Sequence, residues 1–208
     1  MQKLWDISPP VEPGSPVFEG DTSYAQQWSW QISRGSPVNV AAVTLSGHVG
    51  AHADGPLHYD PGGRAVGELP LEPYIGPCRV IHALHGQALV GLSDLAHALD
   101  RLPPRVLIRT YPCFPLQRFD PSFRALEATL IEELADRGVL LVGLDSASVD
   151  PVDSKDLPSH QALRRRDLRV LENLYLDDVP EGDYELIALP LRWMRADASP
   201  VRAVLRCL

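Results

Sequence analysis

Cysteine is scarce, positive charge is in deficit and no long apolar run is present, and each shortage removes a class of function. Cys78, Cys113 and Cys207 are the three cysteines of 208 residues. An odd, widely spaced set with no CxxC pair supports no disulfide framework and suits a reducing compartment. Lys and Arg number 19 against 27 Asp and Glu, a formal charge of −8. Such a surface repels phosphate backbones, so no nucleic-acid partner is expected. The one basic block, Arg164-Arg165-Arg166, is too short to form a binding stripe. The opening residues include Lys3, Trp5 and Asp6 and lack the apolar core of a secretory signal. The longest uncharged stretch, residues 35–53, carries Pro37, Asn39, His48 and His52, which a lipid-exposed helix excludes. The expectation is a soluble, cytoplasmic protein with no membrane partner.

What remains is an ordinary globular composition, 45% hydrophobic and 22% charged, consistent with one domain over residues 1–208. Twenty prolines cut the chain into short elements. Residues 3–7, 28–33, 38–45, 79–84, 105–111, 139–143, 184–191 and 201–207 read as strands from their Val, Ile, Leu and aromatic content. Residues 94–102, with Ser93 at the N-cap, read as a helix. So do residues 123–137, where Leu126, Leu130 and Leu134 recur at four-residue spacing before Gly138. These elements predict an α/β fold: a mixed, strand-rich sheet or partly closed barrel with packed helices. Residues 47–67 read as a long irregular stretch with six glycines, a kind of segment that is often functional.

That stretch holds the chemistry. Within Ser46-Gly47-His48-Val49-Gly50-Ala51-His52-Ala53-Asp54-Gly55-Pro56-Leu57-His58, three histidines and an aspartate stand at offsets 0, 4, 6 and 10. On a straight strand His48 and Asp54 would lie about 20 Å apart, whereas ligands of one ion converge to about 2 Å from it. Shared coordination therefore demands a curled backbone, which Gly47, Gly50 and Gly55 permit. Imidazole with carboxylate suits zinc, manganese or iron(II) rather than calcium. So dense a cluster favours a metal over a set of surface histidines. His160, after Leu157-Pro158-Ser159, reads as a loop residue. Glu172 sits among apolar neighbours, so its carboxylate must face solvent or a cation. No GxSxG is present, which argues against a serine hydrolase.

The His48–His58 segment resembles the HxGTHxDxPxH motif of the metal-dependent cyclase-like amidohydrolase family, whose members include bacterial kynurenine formamidases. The likeness continues through Leu4-Trp5-Asp6-Ile7-Ser8, Phe18, Gly143-Leu144-Asp145-Ser146, Ser148 to Pro151, His160 and Leu171-Glu172-Asn173-Leu174. The resemblance implies a swivelling β/β/α fold and two divalent ions per chain, with zinc favoured and manganese compatible. It implies His48, His52 and Asp54 as ligands of one ion and Asp54, His160 and Glu172 as ligands of the other, with Glu172 touching both. It also implies His58 as the proton-transfer residue and Phe18 at the substrate pocket, and Trp28 or Trp30 could flank a substrate ring. Ala51 stands where the family commonly has threonine, which removes a hydroxyl but no ligand. Two divalent cations against Asp54 and Glu172 leave a net positive charge that acidifies a bridging water. The implied activity is hydrolysis of N-formyl-L-kynurenine to L-kynurenine and formate by a homodimeric arylformamidase. The alternatives are an isatin-type hydrolase of cyclic amides or imides and a non-catalytic metal-binding protein.

Overall fold

The computed structural model describes residues 3–208. In chain order its main elements are β1 (Leu4–Asp6), β2 (Ala25–Trp30), β3 (Val40–Thr44), β4 (His52–Asp54), β5 (Ile75–His82), β6 (Leu89–Val90), α1 (Leu92–Leu95), β7 (Arg105–Arg109), β8 (Ala125–Leu126), α2 (Ala128–Asp136), β9 (Leu141–Leu144), α3 (Pro158–Arg166), β10 (Arg169–Glu172), β11 (Gly182–Ile187), β12 (Ala198–Pro200) and β13 (Val204–Cys207). Nine strands form one curled mixed sheet in the order β1-β13-β11-β5-β7-β9-β10-β4-β12. The α/β class and the strand-rich mixed sheet are those expected from the sequence. No helix among the described residues is long and apolar enough to cross a membrane, and Cys78 and Cys113 are free thiols.

The centre of the sheet explains its own sequence. Strands β5, β7, β9 and β10 pair in parallel, and β7, β9 and β10 are buried along nearly their whole length. Strands covered on both faces read as continuous apolar runs rather than alternating ones. Val106, Ile108, Val142, Leu144 and Val170 pack on the helical side against Leu130, Ile131 and Leu134 of α2 and Leu163 of α3. Leu107, Leu141 and Leu171, pointing the other way, join a second cluster with Ile7, Tyr74 and Leu205. The functional cluster rides on this rigid centre through β10 and its antiparallel neighbour β4.

Several boundaries differ from the sequence reading. The stretch 47–67 is not irregular throughout, because His52–Asp54 forms a buried strand between β10 and β12. His160 lies in the first turn of α3, not in a loop. The helix expected over 123–137 begins at Ala128. Leu126, which fits the helical spacing, instead sits in β8, where its backbone N–H donates to Val149 O at 2.9 Å. The helix expected over 94–102 starts earlier, at Leu92, capped by the Asp94 carboxylate on the Gly91 N–H, and passes into a 3₁₀ turn over Ala96–Ala98. Strands β2 and β3 form a separate hairpin with Trp28 50% and Trp30 57% exposed. The arginine block ends α3 and is consumed in ion pairs with Asp60, Glu132 and Asp136. Truncating Leu130→Ala on the buried face of α2 should cost about 2–5 kcal/mol, and Leu140→Ala on the surface less than about 0.5. Urea denaturation of the two variants checks this, and equal costs would contradict the packing described.

Candidate metal centre

Strand geometry assembles the cluster. Residues His52 and Asp54 stand two apart on β4 and so project from the same face. Glu172 is directly opposite His52 in the antiparallel β4–β10 register, and such cross-strand pairs point to one side. Before β4 the chain turns through Gly50 at φ +66, a left-handed conformation that glycine adopts without strain, and this turn brings His48 back over the strand. Gly47 approaches so closely that a Cβ there would lie 2.9 Å from Ala198 O. Proline at the start of the 3₁₀ turn Pro56–His58 then swings His58 toward the same point. From the other side, α3 supplies His160.

The resulting distances are short and convergent. Asp54 Oδ1 lies 3.2 Å from His48 Nδ1 and 3.4 Å from His52 Nε2, while its Oδ2 lies 3.6 Å from His160 Nε2. Glu172 Oε2 is 3.4 Å from His52 Nε2, and its Oε1 is 3.8 Å from His160 Nε2. All five residues predicted as ligands are thus brought together, and all but His48 are buried.

Each imidazole is fixed by its outer nitrogen. His52 Nδ1 donates to Gly50 O at 2.9 Å, His160 Nδ1 to Asp150 Oδ2 at 2.7 Å, and His48 Nε2 to Asp197 Oδ2 at 3.0 Å. The inner nitrogens are left facing Asp54. This is the arrangement in which an outer carboxylate or carbonyl orients a metal-binding imidazole. Asp150 also accepts the N–H groups of Ser159 and His160, so one carboxylate caps α3 and aims its histidine.

The residues fit a cation. His52 Nε2, His160 Nε2 and both oxygens of Asp54 are buried without a hydrogen-bond partner. Four such orphans in one spot would cost several kcal/mol unless something binds them. Ligands about 2.0–2.1 Å from one tetrahedral ion stand roughly 3.3–3.4 Å apart, the spacing observed around Asp54 Oδ1. The two Asp54 oxygens face different partners, His48 and His52 on one side and His160 on the other.

The surroundings form a cavity of about 580 Å³, open at its mouth, whose walls include Phe18, His48, His58, His160, Glu172 and Asp197. A second, narrower chamber of about 50 Å³ adjoins it through Phe18, Asp21, His48 and Ala147. Phe18 is held by Phe119 and Phe123, with ring centroids at 4.7 and 6.2 Å. Trp28 and Trp30, which could have flanked a substrate ring, line neither cavity. They stand on the exposed hairpin.

Residues 5–151 match the family model named Cyclase. The chain belongs to the Cyclase family. Among its relatives, the kynurenine formamidase of Paracidovorax citrulli is 63% identical over 207 residues, covering 98% of this chain and 96% of that one. The kynurenine formamidase of Bordetella pertussis is 60% identical over 206 residues, covering 99% of each. A solved structure described as a “Potential Metal-Dependent Hydrolase With Cyclase Activity” superposes with a TM-score of 0.85 at 28% identity, covering 99% of this chain and 98% of that one.

Two residues of this Cyclase-family site were not singled out in the sequence. Asp150 lies within the Ser148–Pro151 match but carried no assigned role there. Asp197 has no motif around it, and only the register placing Ala198 opposite Asp54 brings it beside His48 and His58. His58 Nδ1 donates to the same Asp197 Oδ2 at 3.3 Å.

Electrostatics follow from this packing. Burial pushes the His48 and His160 imidazoles down, but Asp54 and Asp197 around the first and Asp150 and Asp54 around the second push them up to about 10. Against its own burial, His160 and His48 hold Asp54 well below the ordinary carboxylate range. His48 and His160 are thus held protonated at neutral pH, and a metal bound there would have to displace those protons. Zinc affinity should therefore rise with pH toward about 10, by up to about a hundredfold per unit when both protons leave. Calorimetric zinc titrations in buffers of different ionisation enthalpy should show about two protons released per chain at pH 7. Release of none would contradict the assignment.

Proposed function

We propose that the chain, acting as one domain over residues 1–208, hydrolyses N-formyl-L-kynurenine to L-kynurenine and formate with two bound divalent ions. The observation that carries this reading is the cluster of unpartnered ligand atoms around Asp54, in a chain alike over its whole length to kynurenine formamidases. His48, His52 and Asp54 would hold one ion and Asp54, His160 and Glu172 the other. Zinc suits this imidazole–carboxylate set best, and manganese is compatible. Bound there, the ions supply Lewis-acid polarisation of a carbonyl and a lowered pKa for water.

The chain's own groups do the remainder. Because Asp197 takes the Nδ1 proton of His58, Nε2 is the nitrogen left to exchange protons with substrate. As a water oxygen adds to the formyl carbon, His58 Nε2 takes the proton that water sheds, and as the C–N bond breaks it hands that proton to the departing aryl nitrogen, which leaves as a neutral amine. Phe18, clamped by Phe119 and Phe123, offers its ring to the aromatic part of the substrate at the border of the two chambers. The free thiols of Cys78 and Cys113 support a reducing, cytoplasmic setting. The exposed Trp28 and Trp30 hairpin supports a homodimer, since a second copy would cover that apolar surface.

His58→Ala should keep its metal content and lose about 10²–10⁴-fold in kcat on N-formyl-L-kynurenine. An unchanged kcat would remove His58 from proton transfer. Faster turnover of isatin than of formylkynurenine by the unaltered protein would replace the substrate.

A further inference from the structure

The second chamber carries charges that a neutral aryl formamide would not use. Its walls are largely apolar, formed by prolines and by Val17, Phe18, Leu116 and Phe119, yet they include Asp21, Arg118, Asp120 and Asp145. Two of these carboxylates are already engaged. Asp145 accepts the backbone N–H groups of Thr110 and Tyr111 and the Thr110 hydroxyl. Asp120 accepts the Tyr111 hydroxyl at 3.0 Å and the Ser122 N–H. Asp21 accepts only the adjacent Thr22 N–H.

Arg118 is the odd one of its neighbours. Arg109 and Arg124 spend their guanidinium groups on backbone carbonyls, whereas the Arg118 side chain has no hydrogen bond or ion pair among the described residues. The loop that bears it is nonetheless fixed. Asp177 accepts the Phe114 N–H at 3.0 Å, the Tyr111–Asp120 bond closes the loop on itself, and Phe119 packs on Phe18. An exposed guanidinium without a side-chain partner and a half-buried, nearly free carboxylate line the same chamber and match a ligand bearing one charge of each sign. Guanidinium takes a carboxylate through paired N–H donors.

We propose that this chamber is an α-amino-acid subsite, in which Arg118 binds the carboxylate and Asp21 the ammonium of the substrate's zwitterionic tail. The inference rests on the formamidase reading and deepens it. Phe18, shared by both chambers, is the border at which the aryl ring passes from one to the other. The subsite selects amino-acid-bearing aryl formamides over simple ones, because a substrate without the tail forgoes both charge-assisted contacts.

The test compares N-formyl-L-kynurenine with N-formyl-2-aminoacetophenone, which keeps the aryl formamide but lacks the amino-acid group. Arg118→Ala in the metal-loaded protein should raise KM for formylkynurenine roughly ten- to a hundredfold while kcat stays within about twofold. It should leave kcat/KM for the truncated substrate within about twofold. Arg118→Lys should recover part of the loss, and Asp21→Asn should repeat the pattern. Binding of L-kynurenine followed by calorimetry should weaken in parallel. Equal losses on both substrates, or no loss on formylkynurenine, would overturn the inference alone. A wild-type protein inert toward both formamides would overturn the formamidase reading and this inference with it.

Discussion

A single carboxylate organises this protein. Asp54 is buried on a three-residue strand with neither oxygen hydrogen-bonded, and His48, His52 and His160 all turn their inner nitrogens toward it. A buried ionised carboxylate is tolerated only with compensating positive charge. Without metal, the protons of His48 and His160 supply that charge, and in the proposed holoprotein the same nitrogens would become ligands. Proton binding and metal binding are therefore alternative states of one electrostatic requirement.

The scaffold exists to hold that requirement rigid. The parallel strands β7, β9 and β10 are sealed between two apolar clusters, so β10 and its neighbour β4 cannot shift without disturbing the core. Outside the ligands stands a ring of supports: Gly50 O, Asp150, Asp197 and the Val149 N–H that donates to Glu172 Oε1. Each support fixes which atom of a ligand is presented inward. The residues proposed to meet substrate, Phe18, Arg118 and Asp21, are built differently, on loops lining the second chamber, where chemistry can vary without touching the core.

Much of this was legible in the chain. The histidine spacing at 48, 52 and 58 with Asp54 demanded convergence, and the glycines between them supplied the means. Glu172 in an apolar stretch had to face either solvent or a cation, and only the register, which places it opposite His52, brings it into the cluster. What escaped was long-range. Nothing local marks Asp197, which reaches His48 and His58 from 149 and 139 residues away. Leu126 satisfies a helical period but is claimed by tertiary hydrogen bonding, and His160 gains its helix from Pro158 and a cap supplied by the distant Asp150. Trp28 and Trp30 offered aromatic surface without any signal of where the hairpin would stand.

The most direct measurement is the metal content of the purified chain by elemental mass spectrometry, read against formylkynurenine turnover before and after chelation. The account predicts two divalent ions per chain, loss of turnover with their removal and recovery on adding zinc or manganese. Full turnover by a metal-free chain would contradict it.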